Sequence, residues 1–299
     1  MENEQQSYCG FLNVLKPPGM SSARVVAIAR RRFQGTKIGH AGTLDPEAAG
    51  VLPLMIGKAA RLFDDLQSDR KAYIAEIAFG AATDTQDAQG TVTETGETIP
   101  TEQELRALLP TLVGEMMQLP PMYSALKRDG KPLYALAREG VTVDRTPRRM
   151  TLYALELLRM MPGNGALIQL SSSKGFYVRT LCHDIGQMLG CPAHMRFLLR
   201  TASGAFPIET AKTLDEIERA QDLQVLLIPV EDVLSHLPYA DVPEALSKDF
   251  HNGVPLPLAA FPTFAGVAQG GRVQLRVGGR TAAIAQRKGS VLKSVAWLL

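Results

Sequence analysis

The most unusual stretch of the chain is Gly39-His40-Ala41-Gly42-Thr43-Leu44-Asp45-Pro46-Glu47-Ala48-Ala49-Gly50, followed at once by the apolar run Val51-Leu52-Pro53-Leu54-Met55-Ile56. Local rules permit two readings of it. In one, Asp45 caps a helix, Pro46 takes the first helical position and Glu47 favours the first turn. In the other, the glycines at 39, 42 and 50 free the backbone around a single carboxylate and let a bulky ligand approach it. Loops held by a rigid scaffold are where catalytic carboxylates tend to sit.

Working outward, residues 11–14 form a short apolar run, and Lys16-Pro17-Pro18-Gly19 is a turn. Ser21 or Ser22 then caps a helix to about Arg32, with Val25, Val26, Ile28 and Ala29 on its apolar face. Residues 72–79 alternate as a strand, placing Tyr73, Ala75, Ile77 and Phe79 on one side. Gly90 closes an acidic turn before another strand. Helices are predicted over 102–109 and 132–138, and a hairpin over 150–158 and 166–170, closed near Gly163 and Gly165. Residues 176–189 form a helix with Val178, Leu181, Ile185, Met188 and Leu189 on its apolar face. Strands and helices mixed without regular alternation predict an α+β fold around a mixed sheet.

Near Pro238 the texture changes. Prolines recur at 243, 255, 257 and 262, Val273, Leu275 and Val277 alternate with Gln274 and Arg276, and Gly278-Gly279 makes a hairpin turn. The expected division is a large domain, 1–238, and a small β domain, 239–299, standing alone or packed on the main core.

Net charge is +2, but its distribution is uneven. Residues 24–37 carry five basic side chains and no acid, while 64–106 carry ten acidic and three basic ones. Residues 127–149, and again 241–299, each carry seven basic and three acidic residues. Such separation suits a polyanion bound on one side, and equally an ordinary solvated surface. No apolar run approaches the roughly 20 residues a bilayer requires. Residues 1–8 lack the order of a secretory signal, and three cysteines at 9, 182 and 191 show no disulfide or metal spacing. A cytoplasmic, reduced protein is the expectation. A phosphate-loop reading of 50–58 fails because six residues separate Gly50 from Gly57 where four are required, with Ala59 in place of Ser or Thr. No dinucleotide fingerprint is present, and the histidines at 40, 183, 194, 236 and 251 fit no zinc pattern. No metal and no cofactor are therefore expected.

The 39–50 segment resembles the catalytic signature of the bacterial tRNA pseudouridine-55 synthases, the TruB family. The likeness extends to Gly10-Phe11-Leu12-Asn13-Val14-Leu15-Lys16-Pro17-Pro18-Gly19-Met20-Ser21-Ser22, to Lys71-Ala72-Tyr73 and to Pro120-Pro121-Met122-Tyr123-Ser124-Ala125-Leu126-Lys127. Ser173-Lys174-Gly175-Phe176-Tyr177-Val178-Arg179 and Leu199-Arg200-Thr201-Ala202-Ser203-Gly204-Ala205-Phe206 follow in the family's order. Departures are Ser172 for a frequent cysteine, Phe176 and Ala49 for threonines, and Glu47 for an apolar residue.

The resemblance implies a pseudouridine synthase catalytic domain with a small C-terminal PUA-like RNA-binding domain, isomerising uridine 55 in the T-loop of tRNA. That reaction breaks C1′–N1 and joins C1′ to C5 with no redox change, so it needs no cofactor. The base must be flipped out. Asp45 is then the essential carboxylate, acting on sugar or base or at C2′. Arg179 keeps it ionised and, by bidentate pairing, oriented. Tyr73 stacks on the uracil and helps remove the C5 proton, and His40 fills the vacated stack. Lys16, Tyr177, Lys127, Arg128 and Arg148 are implied RNA contacts, with Arg30 to Arg32 and Arg149 as further phosphate-binding cations. The implied partner is the T-arm of tRNA, bound by a monomer without an obligate protein partner. A non-catalytic RNA-binding protein and a guide-RNA-dependent synthase are the competing readings.

Overall fold

The computed structural model describes residues 8–66, 70–124, 126–128, 130–141 and 143–299. The apolar runs that flank the quoted loop and the Lys-Pro turn become neighbouring strands of one mixed sheet. These are β1 (Gly10–Lys16) and, after the short β2 (Ile38–His40), β3 (Ala49–Ile56). The remaining strands are β4 (Lys71–Phe79), β5 (Gly114–Gln118), β6 (Arg148–Met161), β7 (Gly165–Ser172), β8 (Ala193–Ser203) and β9 (Phe206–Pro207). Their spatial order is β1-β3-β8-β4-β7-β6-β5, with β2 on β3 and β9 on β8. The β3–β8 pairing, Leu199 with Ala49 and Arg200 with Gly50, is parallel, and the others in this sheet are antiparallel.

Why β1 and β3 are apolar on both faces follows from what covers them. Leu12, Val14, Leu52, Leu54 and Ile56 point into the main core, together with Val25, Val26 and Ala29 of the Ser22–Arg32 helix. Phe11, Val51 and Met55 point the other way, into a second core with Phe206, Val230, Val233 and Leu234. That second core also takes Ile284, Ala296 and Leu298 from the C-terminal region. Strands covered on both sides read as continuous apolar runs, whereas β4, covered mainly on one, alternates as expected, with Tyr73, Ala75, Ile77 and Phe79 buried. The Val178–Met188 helix packs on β8 and β4. Its face is narrower than predicted: Met188, at its last position, is exposed, because the chain turns away at Gly190 (φ +65°).

The C-terminal strands are β10 (Tyr239–Asp241), β11 (Leu256–Pro257), β12 (Arg272–Val277), β13 (Arg280–Lys288) and β14 (Val291–Trp297). They form a second sheet ordered β10-β12-β13-β14-β11. This unit has a core of its own around Phe250, Phe261, Phe264, Val273 and Leu275. It is also tied to the larger sheet by the shared second core, by Arg61 donating to the Trp297 carbonyl at 2.7 Å and by an Arg272–Asp65 ion pair. Gly278 and Gly279, both at positive φ, close the expected β12–β13 hairpin. Gln274, predicted on the outer face of β12, is fully buried. It donates to the carbonyls of Leu234 (2.8 Å) and Leu237 (3.2 Å) and accepts from Thr281, so the segment packed over β12 uses its amide as a brace.

Among the described residues, no helix is long and apolar enough to cross a membrane. The tightest point of the sheet is the β3–β8 pairing. A Cβ on Gly50 (φ +111°) would fall 2.2 Å from the Arg200 carbonyl oxygen. Gly50→Ala is therefore expected to destabilise the fold by about 3 kcal/mol or more, through overpacking and a strained backbone. Equilibrium urea unfolding checks this, and an unchanged midpoint would contradict it.

Candidate active site

Asp45 does not start a helix. Its carbonyl accepts from Ala48 N at 3.1 Å to close a turn, and Gly50 at once delivers the chain into β3. Of the two local readings, the exposed-carboxylate loop is the one adopted. This loop has few backbone partners, and buried carbonyls left unpaired would be costly, so side chains supply the donors. Lys16, at the end of β1, is fully buried and its Nζ donates to the carbonyls of Pro17 (2.9 Å), Met20 (2.5 Å) and Pro46 (2.8 Å). Ser22 Oγ donates to Leu44 O and accepts from Leu44 N, at 3.0 and 2.9 Å. Arg200, 1% exposed, donates from Nε to Val51 O (2.7 Å), from Nη2 to Gly42 O (3.2 Å) and from Nη1 to Thr43 O (3.4 Å).

Lys16 therefore corrects an expectation. It is no surface phosphate contact, because its ammonium is enclosed and fully engaged by backbone. Burial lowers its pKa to about 8, against the opposing charges of Glu47 and Asp45. Arg30 and Arg32 are likewise engaged with carbonyls of Ile38, Ile217 and Ala220, and Arg31 faces Glu218 at 3.8 Å. Arg149 pairs with Glu115.

Arg179, in the first turn of the Val178–Met188 helix and 5% exposed, reaches the loop from the other side. Its Nε lies 3.0 Å from Asp45 Oδ2. The predicted bidentate grip is not formed, because the rest of the guanidinium is occupied elsewhere. Nη1 donates to Asp87 Oδ2 and to Thr85 O, both at 3.2 Å, and Nη2 to Tyr123 O at 2.9 Å. Asp87 is itself held by Thr85 Oγ1 (2.7 Å) and Gln89 N (3.1 Å). Arg179 is thus a fixed fork between two carboxylates. Of the two, the Asp45 side chain is the more open to solvent, with 40% of its surface exposed against 18% for Asp87. Its protein surroundings raise the carboxyl's pKa by desolvation. Arg179 opposes this most strongly, Asp87 adds to it, and Lys16 and Arg200 lower it.

Tyr73 pairs with Arg200 across β4 and β8 and is buried. Burial raises its hydroxyl pKa, while Arg200, which hydrogen-bonds it, lowers it and the Asp45 charge raises it. His40, half-buried at the end of β2, accepts from Gly42 N through Nδ1 at 3.4 Å, and burial followed by the Arg200 charge lowers its pKa. Tyr177 caps the Arg179 helix. Gln118 clasps its backbone, donating to its carbonyl (3.1 Å) and accepting from its N–H (2.9 Å). Burial raises the Tyr177 hydroxyl pKa, and the neighbouring Ser124 side chain and the charge of the exposed Arg148 lower it. Lys127 and Arg128 form a two-residue hairpin with Lys131–Pro132, and their side chains lie outside the described set.

Sequence reasoning missed Arg200 and Asp87. Arg200 stands inside the quoted closing motif and Asp87 inside the acidic stretch, but neither local pattern says what it bonds. Among the described residues no group of three or more His, Cys, Asp or Glu side chains could hold a metal.

Replacing Arg200 by Met would leave three acceptors, two of them in the Asp45 loop, without donors. It is expected to destabilise the protein by on the order of 3 kcal/mol or more, read by thermal and urea unfolding. Full native stability would refute the bracing role.

Comparison with known proteins converges on one family. Residues 30–178 match the TruB family pseudouridylate synthase N-terminal domain, and residues 179–235 the tRNA pseudouridylate synthase B C-terminal domain. The tRNA pseudouridine synthase B of Alkaliphilus oremlandii (strain OhILAs) is 43% identical over 244 residues, 82% of this chain and 81% of that one. That of Geobacillus thermodenitrificans (strain NG80-2) is 44% identical over 262 residues, 84% and 87% of the two chains. Among solved structures, a chain of a Cbf5–Nop10–Gar1 complex superposes with TM-score 0.73 at 26% identity, over 99% of this chain and 87% of that one. Fold, sequence and the conjunction of loop, tyrosine and arginine agree: the chain belongs to the TruB family of tRNA pseudouridine synthases, which are isomerases.

Proposed function

We propose that this protein isomerises uridine 55 in the T-loop of tRNA to pseudouridine, in the cytoplasm and as a monomer, with Asp45 as the essential carboxylate. The observation that carries the reading is the Arg179–Asp45 contact of 3.0 Å at a carboxylate otherwise open to solvent. A carboxylate enclosed by RNA would tend to protonate, and the guanidinium counters that. The target nucleotide is extruded from the T-loop and its uracil lies over Tyr73, a stack worth about 1–3 kcal/mol. His40, half-buried beside the loop, takes the place of the departed base. Arg148 and Tyr177 meet the RNA backbone, and Lys127 and Arg128 contribute further charge to its binding. The C-terminal sheet provides a second RNA contact. In the reaction C1′–N1 breaks and C1′–C5 forms. The C5 proton leaves and N1 gains one, so atoms and charge balance without an added redox partner.

Two measurements test this. Purified protein, incubated with a T-arm stem-loop in EDTA, is expected to form pseudouridine, while Asp45→Asn binds the RNA and forms none. Turnover by Asp45→Asn, or a requirement for a guide RNA or partner protein, would refute the reading.

The second test is the acid limb of the rate. Asp45 works ionised and its pKa is raised, so activity falls with acidification at a pH above the ordinary Asp value of about 3.9. Removing the main opposing charge, as in Arg179→Gln, moves that limb to still higher pH. A limb at or below the ordinary value, or one unmoved by Arg179→Gln, would contradict the assigned pairing.

A further inference from the structure

We propose that Lys71 forms an anion subsite for the phosphodiester flanking the target nucleotide, beside the Asp45 loop; this rests on the functional reading above. Lys71 is the first residue of β4, two before Tyr73, and so projects from the same face of the sheet as that ring. It is partly buried, and its Nζ lies 3.0 Å from the position a Cβ on Gly42 would occupy. The ammonium thus rests against the backbone of the loop that carries Asp45.

The other cations of the site are already committed. Lys16 and Arg200 are engaged by loop carbonyls, and Arg179 by two carboxylates and two carbonyls. Lys71 differs. Among the described residues no carboxylate or carbonyl lies within ion-pair or hydrogen-bond distance of it, and the charges acting on it are both positive, Arg200 and Lys174. A partly desolvated ammonium facing two cations is unfavourable in the free protein, and an arriving anion reverses the balance. Burial and these neighbours lower its pKa to about 8, which leaves it mostly protonated near neutrality.

Which anion it takes follows from placement. Lys71 stands against Gly42, three residues before Asp45 in the same loop, and on the same face of β4 as the stacking tyrosine. In a nucleotide whose base lies over Tyr73, the group to one side of the sugar is the phosphodiester. Lys71 is accordingly a positioning residue.

The test uses T-arm stem-loops, all-phosphate or with a neutral methylphosphonate immediately 5′ or 3′ of the target uridine. Binding is measured in an Asp45→Asn background to prevent turnover. Lys71→Met is expected to weaken binding of the all-phosphate RNA by about tenfold. It should also reduce the slope of log K against log salt by about one contact, roughly 0.7–0.9. On the RNA neutralised at the contacted phosphate, the same substitution should change affinity by less than about twofold. Lys71→Arg, which keeps the charge, should retain both the affinity and the methylphosphonate penalty, and circular dichroism monitors folding. Equal loss on all three RNAs, no loss on the all-phosphate RNA, or a Lys71→Arg protein that is folded and insensitive to the methylphosphonates would overturn the assignment. Pseudouridine formation by the unsubstituted protein on the same RNA is scored in parallel. Its absence removes the functional reading, whereas its presence beside any of the three contrary binding results removes the phosphate subsite alone.

Discussion

A loop without secondary structure of its own must still satisfy its backbone polar groups, and here that task falls to two buried cations. Lys16 and Arg200 come from opposite sides of the loop, one at the end of β1 and the other from the centre of β8. Between them they donate to the carbonyls of Pro17, Met20, Gly42, Thr43, Pro46 and Val51. Burying an ammonium and a guanidinium is unfavourable by itself, as their lowered pKa values register. The arrangement is tolerable because nearly every donor has an oxygen. Its consequence is that Asp45 sits on irregular backbone held almost as firmly as a strand.

On this fixed loop the electrostatics separate into holding and acting roles. Arg179 gives one edge to Asp45 and another to Asp87, and its remaining donors to the carbonyls of Thr85 and Tyr123. Asp87 is the less exposed of the two and hydrogen-bonded, so it fixes the guanidinium. Asp45 is open on one side, so it is the carboxylate that can meet a ligand.

Much of this was legible before the fold was known. Strand β4 announced itself through the alternation of Tyr73, Ala75, Ile77 and Phe79. The loop announced itself through glycines at 39, 42 and 50, and the Ser21 cap set the first helix. What could not be read were side chains whose meaning is a distant carbonyl. Lys16 in a Lys-Pro turn looks like a surface cation, and Arg200 in a strand looks like an outward charge. Only the register, which sets Arg200 between Gly50 and Tyr73, turns it inward. Asp87 lay in a run of acids with nothing local to distinguish it. Gln274 was misassigned for the same reason, since the covering segment 230–237 is not predictable from the alternation of β12.

Under the proposed function, the same separation bears on what happens when RNA closes the site. A nucleic acid brings negative charge and excludes water, and both effects push Asp45 toward the neutral form. Mobile surface cations would respond by following the phosphates and leaving the carboxylate. Arg179, Lys16 and Arg200 cannot do so, because each is anchored to protein oxygens in the unliganded fold. Their field at Asp45 persists through binding, and no reorganisation is needed at the moment of reaction. A cation meant for the substrate must then be a different one, near the loop but outside that anchored set, and Lys71 satisfies both conditions.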